Sequence, residues 1–373
     1  MQTDLVKFNT TEKPLDWSKI DRTIINLSGE WMGMGNVIMS SLLVDSIYSA
    51  SPKCKIYILL TGRRWIPIVQ LMKGFPKPVV VGKDFYRFRW LYLNAMIRFR
   101  RPWLKTVYFH DYIAPRMRAS LFGKLLGAQY LFGYGKNGEG KENVPLCNTE
   151  DLPFTARGVL SFDYSNAFEK VTGLKLSGGP KLKRGNLIDG GRKLLLKLRI
   201  KSKKRVIVFH PGCSPNNKYK RWPLSSFSKL ADVLCIEYNA VVLVLLGPGE
   251  NNLIRDWHNP GNVKFIQSYP LADIAAILSC VDGIVSNDSG IMHLGFALGI
   301  PGVGLFGPTA FGNYTSWYPH AKFAYSNMQC RTCYGTDRYE ECGEYPAPCM
   351  SDISVKDVLT KLIEICSDKL KVD

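Results

Sequence analysis

Apolar runs that end in glycine-rich or polar turns recur along this chain, and each is followed by a segment of helical period. Thr23–Leu27 runs into the turn Gly29-Glu30-Trp31-Met32-Gly33-Met34-Gly35-Asn36. Val37–Tyr48 then has helical spacing, and Lys55–Leu60 is again strand-like. Strand, glycine turn, helix, strand is a βαβ unit, and it requires a parallel sheet. Val79–Val81 and Thr106–Phe109 extend the pattern, and Arg116–Leu126 reads as a helix closed by Gly127.

The second half restarts the same grammar. The strands Val206–Phe209, Ala240–Leu246, Gly283–Ser286 and Gly302–Phe306 alternate with the helices Leu224–Tyr238, Leu271–Ser279 and Ile291–Leu298. A polar stretch at Lys136–Asp151 and a basic run at Lys201–Arg205 separate the halves. At 373 residues the chain holds about two to two and a half domains of ordinary size. The expectation is an α/β protein of two doubly wound, Rossmann-like domains facing a cleft. The boundary is placed at 195/196: 1–195 for the first domain, and 196–373 for the second with its cysteine cluster and C-terminal helix.

Composition excludes several classes. The chain is 46% apolar and 21% charged, which is too apolar for a disordered chain. Its longest apolar runs fall far short of the roughly 20 residues that span a bilayer. Asp4, Lys7, Glu12 and Lys13 interrupt the N-terminus, so a soluble cytoplasmic protein is expected. Lys and Arg outnumber Asp and Glu by 49 to 31, a net charge of +18, which attracts anionic partners. Part of that excess lies between Lys83 and Lys124, where cations interleave with Phe85, Tyr86, Phe88, Trp90, Tyr92, Phe99 and Trp103. Such a surface suits a lipid-linked phosphorylated glycan at a membrane face. Nucleic acid, stacked on the aromatics, is the alternative.

Four strand ends of the second half carry polar or glycine turns: His210–Ser214, Gly247–Glu250, Asn287–Gly290 and Gly307–Thr309. In a parallel sheet all four fall on one edge and converge on one pocket. Asp288, Ser289 and Gly290 open a helix, where backbone N–H groups and the positive dipole end suit a diphosphate. His293 follows one turn later. Lys220 is a point charge for phosphate, and Glu250 an acceptor for ribose hydroxyls. Cys330-x2-Cys333-x8-Cys342-x6-Cys349 groups four thiols that could form a tetrahedral site for structural zinc or iron.

The stretches HPGCSPNNKYKRWP, LLGPGE, SNDSGIMHLGFALGIP and GLFGPT, in this order and spacing, resemble the heptosyltransferases of glycosyltransferase family 9. The tail CRTC…C…PCM and the turn MGMGNVIMSSLL are similar to that family too. The resemblance implies a GT-B fold and inverting, metal-independent transfer of a sugar, typically heptose from an ADP-sugar. The acceptor it implies is a lipopolysaccharide-core or related glycan, met at the cytoplasmic face of the inner membrane, with no nucleic-acid partner. By motif, Gly212 and Cys213 line the nucleotide pocket, Lys220 meets the diphosphate, and Glu250 the ribose. Asp288, Ser289, Gly290, His293 and Thr309 frame the rest of the donor. The family's acceptor loop reads Gly-Asp, and its aspartate is the expected general base; this chain has Gly35-Asn36 instead. An amide cannot take the acceptor's proton. Glu30 or Asp111 is the substitute base, with Asn36 orienting the acceptor. Loss of activity, leaving a nucleotide-sugar-binding protein, is the other outcome of that exchange.

Overall fold

The computed structural model describes residues 15–28, 33–81, 104–110, 123, 126–134, 150–152, 169, 172–176, 178–201, 204–255, 257, 263–310, 317–330, 332–334, 336–343, 345–367 and 370. Two six-stranded, all-parallel sheets organise them. The first comprises β1 (Arg22–Leu27), β2 (Lys55–Thr61), β3 (Lys77–Val81), β4 (Thr106–His110), β5 (Tyr130–Tyr134) and β6 (Glu150–Leu152). Its spatial order is β3-β2-β1-β4-β5-β6. The second comprises β7 (Arg205–His210), β8 (Ala240–Leu246), β9 (Val263–Gln267), β10 (Gly283–Asn287), β11 (Gly302–Phe306) and β12 (Ala321–Tyr325). Its order, read from β9, is β9-β8-β7-β10-β11-β12. Each sheet therefore has the doubly wound order 3-2-1-4-5-6, with the chain reversing direction across the sheet beside its first strand.

The central strands are apolar because both of their faces are covered. Every residue of β1, β10 and β11 is buried. Helices α1 (Met34–Ala50), α2 (Ile66–Gln70) and α3 (Ile188–Lys197) accompany the strands. So do α4 (Leu224–Ile236), α5 (Leu271–Leu278), α6 (Gly290–Ala297) and α7 (Val355–Ile365). Side chains start two of them. Ser289 Oγ accepts from Met292 N at the start of α6, and Ser354 Oγ accepts from Asp357 N at the start of α7. The core of the second sheet gathers Phe209, Trp222, Phe227, Leu234, Val285, Val303, Leu305, Met350, Val358 and Leu362.

By contact the chain forms two compact units. The first holds Met1–Met32, Leu42–Arg63 and Gly74–Ser177, and the second holds Gly33–Ser41, Arg64–Lys73 and Gly178–Asp373. Helix α3, which a boundary at 195/196 cuts, lies within the second unit. It packs closely on α5: a Cβ on Gly191 would stand 2.1 Å from the Ala276 carbonyl oxygen. Four strands were not read from the sequence: β5, β6, β9 and β12. Three of these are sheet edges. Most of the basic aromatic stretch, residues 82–103 and 111–122, lies outside the described residues, as does nearly all of the expected helix Arg116–Leu126.

Candidate active site

The four polar turns of the second half do meet at one sheet edge. β7 and β10 pair in parallel, with Ser286 opposite His210, and the chain order switches between them. This is where an open α/β sheet leaves a crevice beyond its strand C-termini. Asn287 closes the floor of that crevice. Its Nδ2 donates to Pro211 O at 2.7 Å, and its Oδ1 accepts from Trp222 N at 3.0 Å. One amide thus joins the end of β7, the Lys220 turn and the end of β10.

At the centre sit Lys220 and Asp288, 68 residues apart in sequence. Lys220 Nζ lies 2.8 Å from Asp288 Oδ2, and both side chains are more than nine-tenths buried. Removing two charges from water is costly, so the pair persists only because each neutralises the other. His293 Nε2 lies 3.9 Å from the second carboxylate oxygen, Oδ1. Burial by itself would raise the Asp288 carboxyl. The charge of Lys220 and its hydrogen bond outweigh it and hold the group below the usual carboxylate range. Thr309 assists weakly: its buried hydroxyl lies beside Asp288 but makes no well-formed hydrogen bond.

Burial pushes His293 down to about 4; Asp288 opposes this and Lys220 adds to it. The imidazole is therefore neutral at pH 7. Its Nδ1 lies 3.3 Å from Tyr318 Oη. The N-terminal turn of α1, within the second unit, packs on the same helix. A Cβ on Gly35 would stand 3.2 Å from His293 Cδ2, and one on Gly290 would stand 2.6 Å from Met34 Cε. Asn36 stands in the first turn of α1.

Glu250 is not a solvated surface carboxylate. Its Oε2 accepts from Gly247 N at 2.7 Å and its Oε1 accepts from Cys213 N at 3.2 Å. Arg221 Nη2 lies 3.6 Å from Oε1. This inward carboxylate occupies the space beside Gly212, where a Cβ would come within 2.1 Å of both oxygens. Each oxygen keeps a lone pair for a further donor. Cys213 is buried, its thiol raised by that burial against the lowering effect of Arg221. Ser289 caps α6 and lies 3.2 Å from Ser286 Oγ.

The structure thus brings together Gly212, Cys213, Lys220, Glu250, Asp288, Ser289, Gly290, His293 and Thr309. Glu30 and Asp111, the expected bases, lie outside the described residues. Asn287, Arg221, Tyr318 and Tyr334 belong to the site as well and were not singled out. Of these, Asn287 carries a signal in its polar strand-end turn and Arg221 in the basic run beside Lys220; Tyr318 and Tyr334 carry none.

Four thiols gather as expected in one respect. Burial pushes Cys349 up to about 12, and the charges of Cys330, Cys333 and Cys342 push the same way. The metal expectation finds no geometric support: among the described residues, no group of three or more His, Cys, Asp or Glu side chains is arranged to hold a metal ion.

Two doubly wound parallel sheets of this order are the arrangement of the GT-B class of fold. The glycosyltransferase family 9 structure from Veillonella parvula has it, with a TM-score of 0.71 at 18% identity over 94% of this chain and 99% of that one. So does the ADP-heptose lipopolysaccharide heptosyltransferase II of E. coli, with a TM-score of 0.66 at 16% identity over the same shares. Residues 165–343 match the model of glycosyltransferase family 9 (heptosyltransferase), the family that the sequence motifs resemble. A lipooligosaccharide heptosyltransferase 2 of Campylobacter jejuni is 25% identical over 172 residues, 44% of this chain and 52% of its own length. The chain spans about half the length of the first curated relatives it matches.

Proposed function

We propose that this chain is a glycosyltransferase that moves a sugar, a heptose by kinship, from a nucleoside-diphosphate donor to a lipopolysaccharide-core or related glycan. The observation that carries the reading is the buried Lys220–Asp288 pair at the switch point, beside the N-terminus of α6. A relative bearing ADP-heptose in its name supports an ADP-sugar as donor.

The donor's diphosphate meets Lys220 Nζ, the Ser289 hydroxyl and the first N–H groups of α6, while Glu250 accepts from the ribose hydroxyls. The acceptor oxygen attacks the anomeric carbon as the bond to the diphosphate breaks, so configuration inverts. The negative charge that grows on the leaving diphosphate is stabilised by Lys220 and the helix N-terminus, without need of a metal. Glu30 or Asp111 takes the acceptor's proton, and Asn36 orients the hydroxyl. The basic stretch Lys83–Lys124 supplies charge for an anionic, lipid-linked acceptor at the cytoplasmic face of the inner membrane. No helix among the described residues is long and apolar enough to cross a membrane.

The test is thermal stabilisation by ADP, UDP, GDP and CDP and their sugars. A ligand at 100 times its dissociation constant stabilises the fold by about 2.7 kcal/mol. Selective stabilisation by ADP species is expected, and none by any nucleotide overturns the reading. Gly35-Asn36 motivates a second reading, a protein that binds the nucleotide sugar without transferring it. Sugar transfer to any glycan acceptor would eliminate it.

A further inference from the structure

The ammonium of Lys220 has a second neighbour besides Asp288. It lies over the ring of Tyr334, 3.7 Å from the ring centroid. That distance is well inside the range of a cation–π contact, which strengthens as both partners lose water. Tyr334 stands one residue after Cys333, in the loop that carries the thiols, yet it is tied to the donor pocket. Its backbone N–H donates to Pro308 O at 2.9 Å, beside the Gly307-Pro308-Thr309 turn. Thr332 N donates to Gly307 O at 3.4 Å.

Aromatic neighbours hold the ring as well. Tyr334 meets Tyr339 edge-on at 5.1 Å, and Tyr339 meets Tyr219 edge-on at 5.3 Å. Tyr219 immediately precedes Lys220, so the contacts close a circuit: Lys220 over Tyr334, Tyr334 against Tyr339, Tyr339 against Tyr219. Edge-to-face aromatic pairs fix orientation as well as burying area.

We propose that Tyr334 is a positioning residue for Lys220 that holds its ammonium ready for the donor diphosphate. The proposal rests on the nucleotide-sugar reading of the pocket. The chemistry explains why a ring stands there. An ammonium has three N–H donors, and Asp288 takes one of them. A second carboxylate would consume another donor and leave the pocket net negative, which repels a diphosphate. A ring face attracts the charge while carrying none, so donors remain for phosphate oxygens. Without the ring, the flexible lysine stem must be ordered at the moment of binding.

The experiment measures ADP affinity by calorimetry for the unaltered protein, Tyr334→Phe and Tyr334→Leu. Ligand-free melting is followed in parallel to verify folding. Tyr334→Phe keeps the ring face and is expected to bind ADP as the unaltered protein does. Tyr334→Leu is expected to bind about 5- to 30-fold more weakly, the range of a partly desolvated cation–π contact. In a Lys220→Met/Asp288→Asn background, adding Tyr334→Leu should change ligand-free stability by less than it does alone, because the coupled charge is gone. Equal ADP affinity in the unaltered protein and Tyr334→Leu overturns the positioning role alone. Equal losses in the Phe and Leu variants overturn it too, since they would trace to the hydroxyl. Failure of the unaltered protein to bind ADP or any other nucleoside diphosphate overturns the pocket reading instead. Full additivity in the ligand-free comparison would still count against the contact in that event.

Discussion

The two sheets share one strand order, yet their switch-point edges are furnished differently. At the end of β1 the hydrogen bonds among the described side chains join neutral groups. Asn26 Nδ2 donates to Tyr108 Oη at 2.8 Å, and Asn26 Oδ1 accepts from Ser28 N and Ser28 Oγ at 3.1 and 2.6 Å. Thr61 Oγ1 closes on the Ser28 carbonyl. At the matching edge of the second sheet stand an ion pair, a neutral imidazole and an inward carboxylate. Topology places a crevice at both edges but does not decide what fills it. Buried neutral networks fix a strand end at modest cost, whereas buried charges are expensive and are arranged here around a pair. Under the proposed function, this furnishing of the second edge is what an anionic ligand would meet.

The largest expected effect comes from breaking that pair. Lys220→Met strands the Asp288 carboxylate in the interior, and should cost about 3–5 kcal/mol in urea unfolding as well as nucleotide binding. Lys220→Met/Asp288→Asn removes both charges and should recover most of the stability while binding stays lost. Recovery of binding in the double variant, or an undiminished stability in the single one, would show that the charges are not coupled as their 2.8 Å separation indicates. The dependence also means that a lysine variant cannot be judged on binding until its folding has been measured.

The next effect is read from pH. Histidine titrates near 6.5 in an unfolded chain, and His293 is held at about 4 in the folded one. Between these values the unfolded state binds more protons, so stability rises with pH and is lost as pH falls from about 6.5 to 4. A shift of this size amounts to about 3 kcal/mol. His210, also held below its ordinary value by burial, acts in the same direction. Unfolding free energies at pH 7 and 4.5 should show the drop, and His293→Gln should flatten it. An unchanged slope in that variant would place the acid sensitivity elsewhere.

The sequence pattern made the central strands readable because they are apolar on both faces: β8 and β11 were read with their observed bounds. The edge strands β9 and β12 escaped because they are half-buried. β9 and β12 carry Lys264 and Lys322 in mid-strand, as edges commonly do. Much of the site was readable too, since glycine and polar turns at strand ends point to one sheet edge. The partners of each residue were not. Nothing local to Lys220 announces Asp288 across 68 residues, and nothing in a cysteine-rich loop announces that Tyr334 faces the lysine. Motif spacing located the groups, but only the folded chain distinguishes a free phosphate-binding lysine from one already paired.

Gly212 tests the second edge at smaller scale. An added Cβ would fall 2.1 Å from the Glu250 oxygens. The carboxylate would have to leave its two backbone donors or the strand end would have to shift, at about 2 kcal/mol for overpacking of this kind. Gly212→Ala should therefore lower the melting temperature and weaken binding of ADP, with its ribose, more than that of inorganic pyrophosphate, which has none. Equal weakening of both would separate Glu250 from ribose recognition.

The smallest expected effect belongs to the first sheet and serves as its counterpart. Tyr108→Phe removes the hydroxyl that accepts from Asn26 Nδ2, in a strand where Tyr108 is fully buried. Losing one partner of a buried neutral hydrogen bond costs about 1–2 kcal/mol, because the remaining donor is left in the interior. Urea unfolding should register that loss, while ADP affinity in calorimetry should stay as in the unaltered protein. The substitution leaves every charge in place, so a matching loss of ADP affinity would mean that the neutral edge takes part in donor binding. The contrast between the two edges would then be one of polarity alone, with no division of roles behind it.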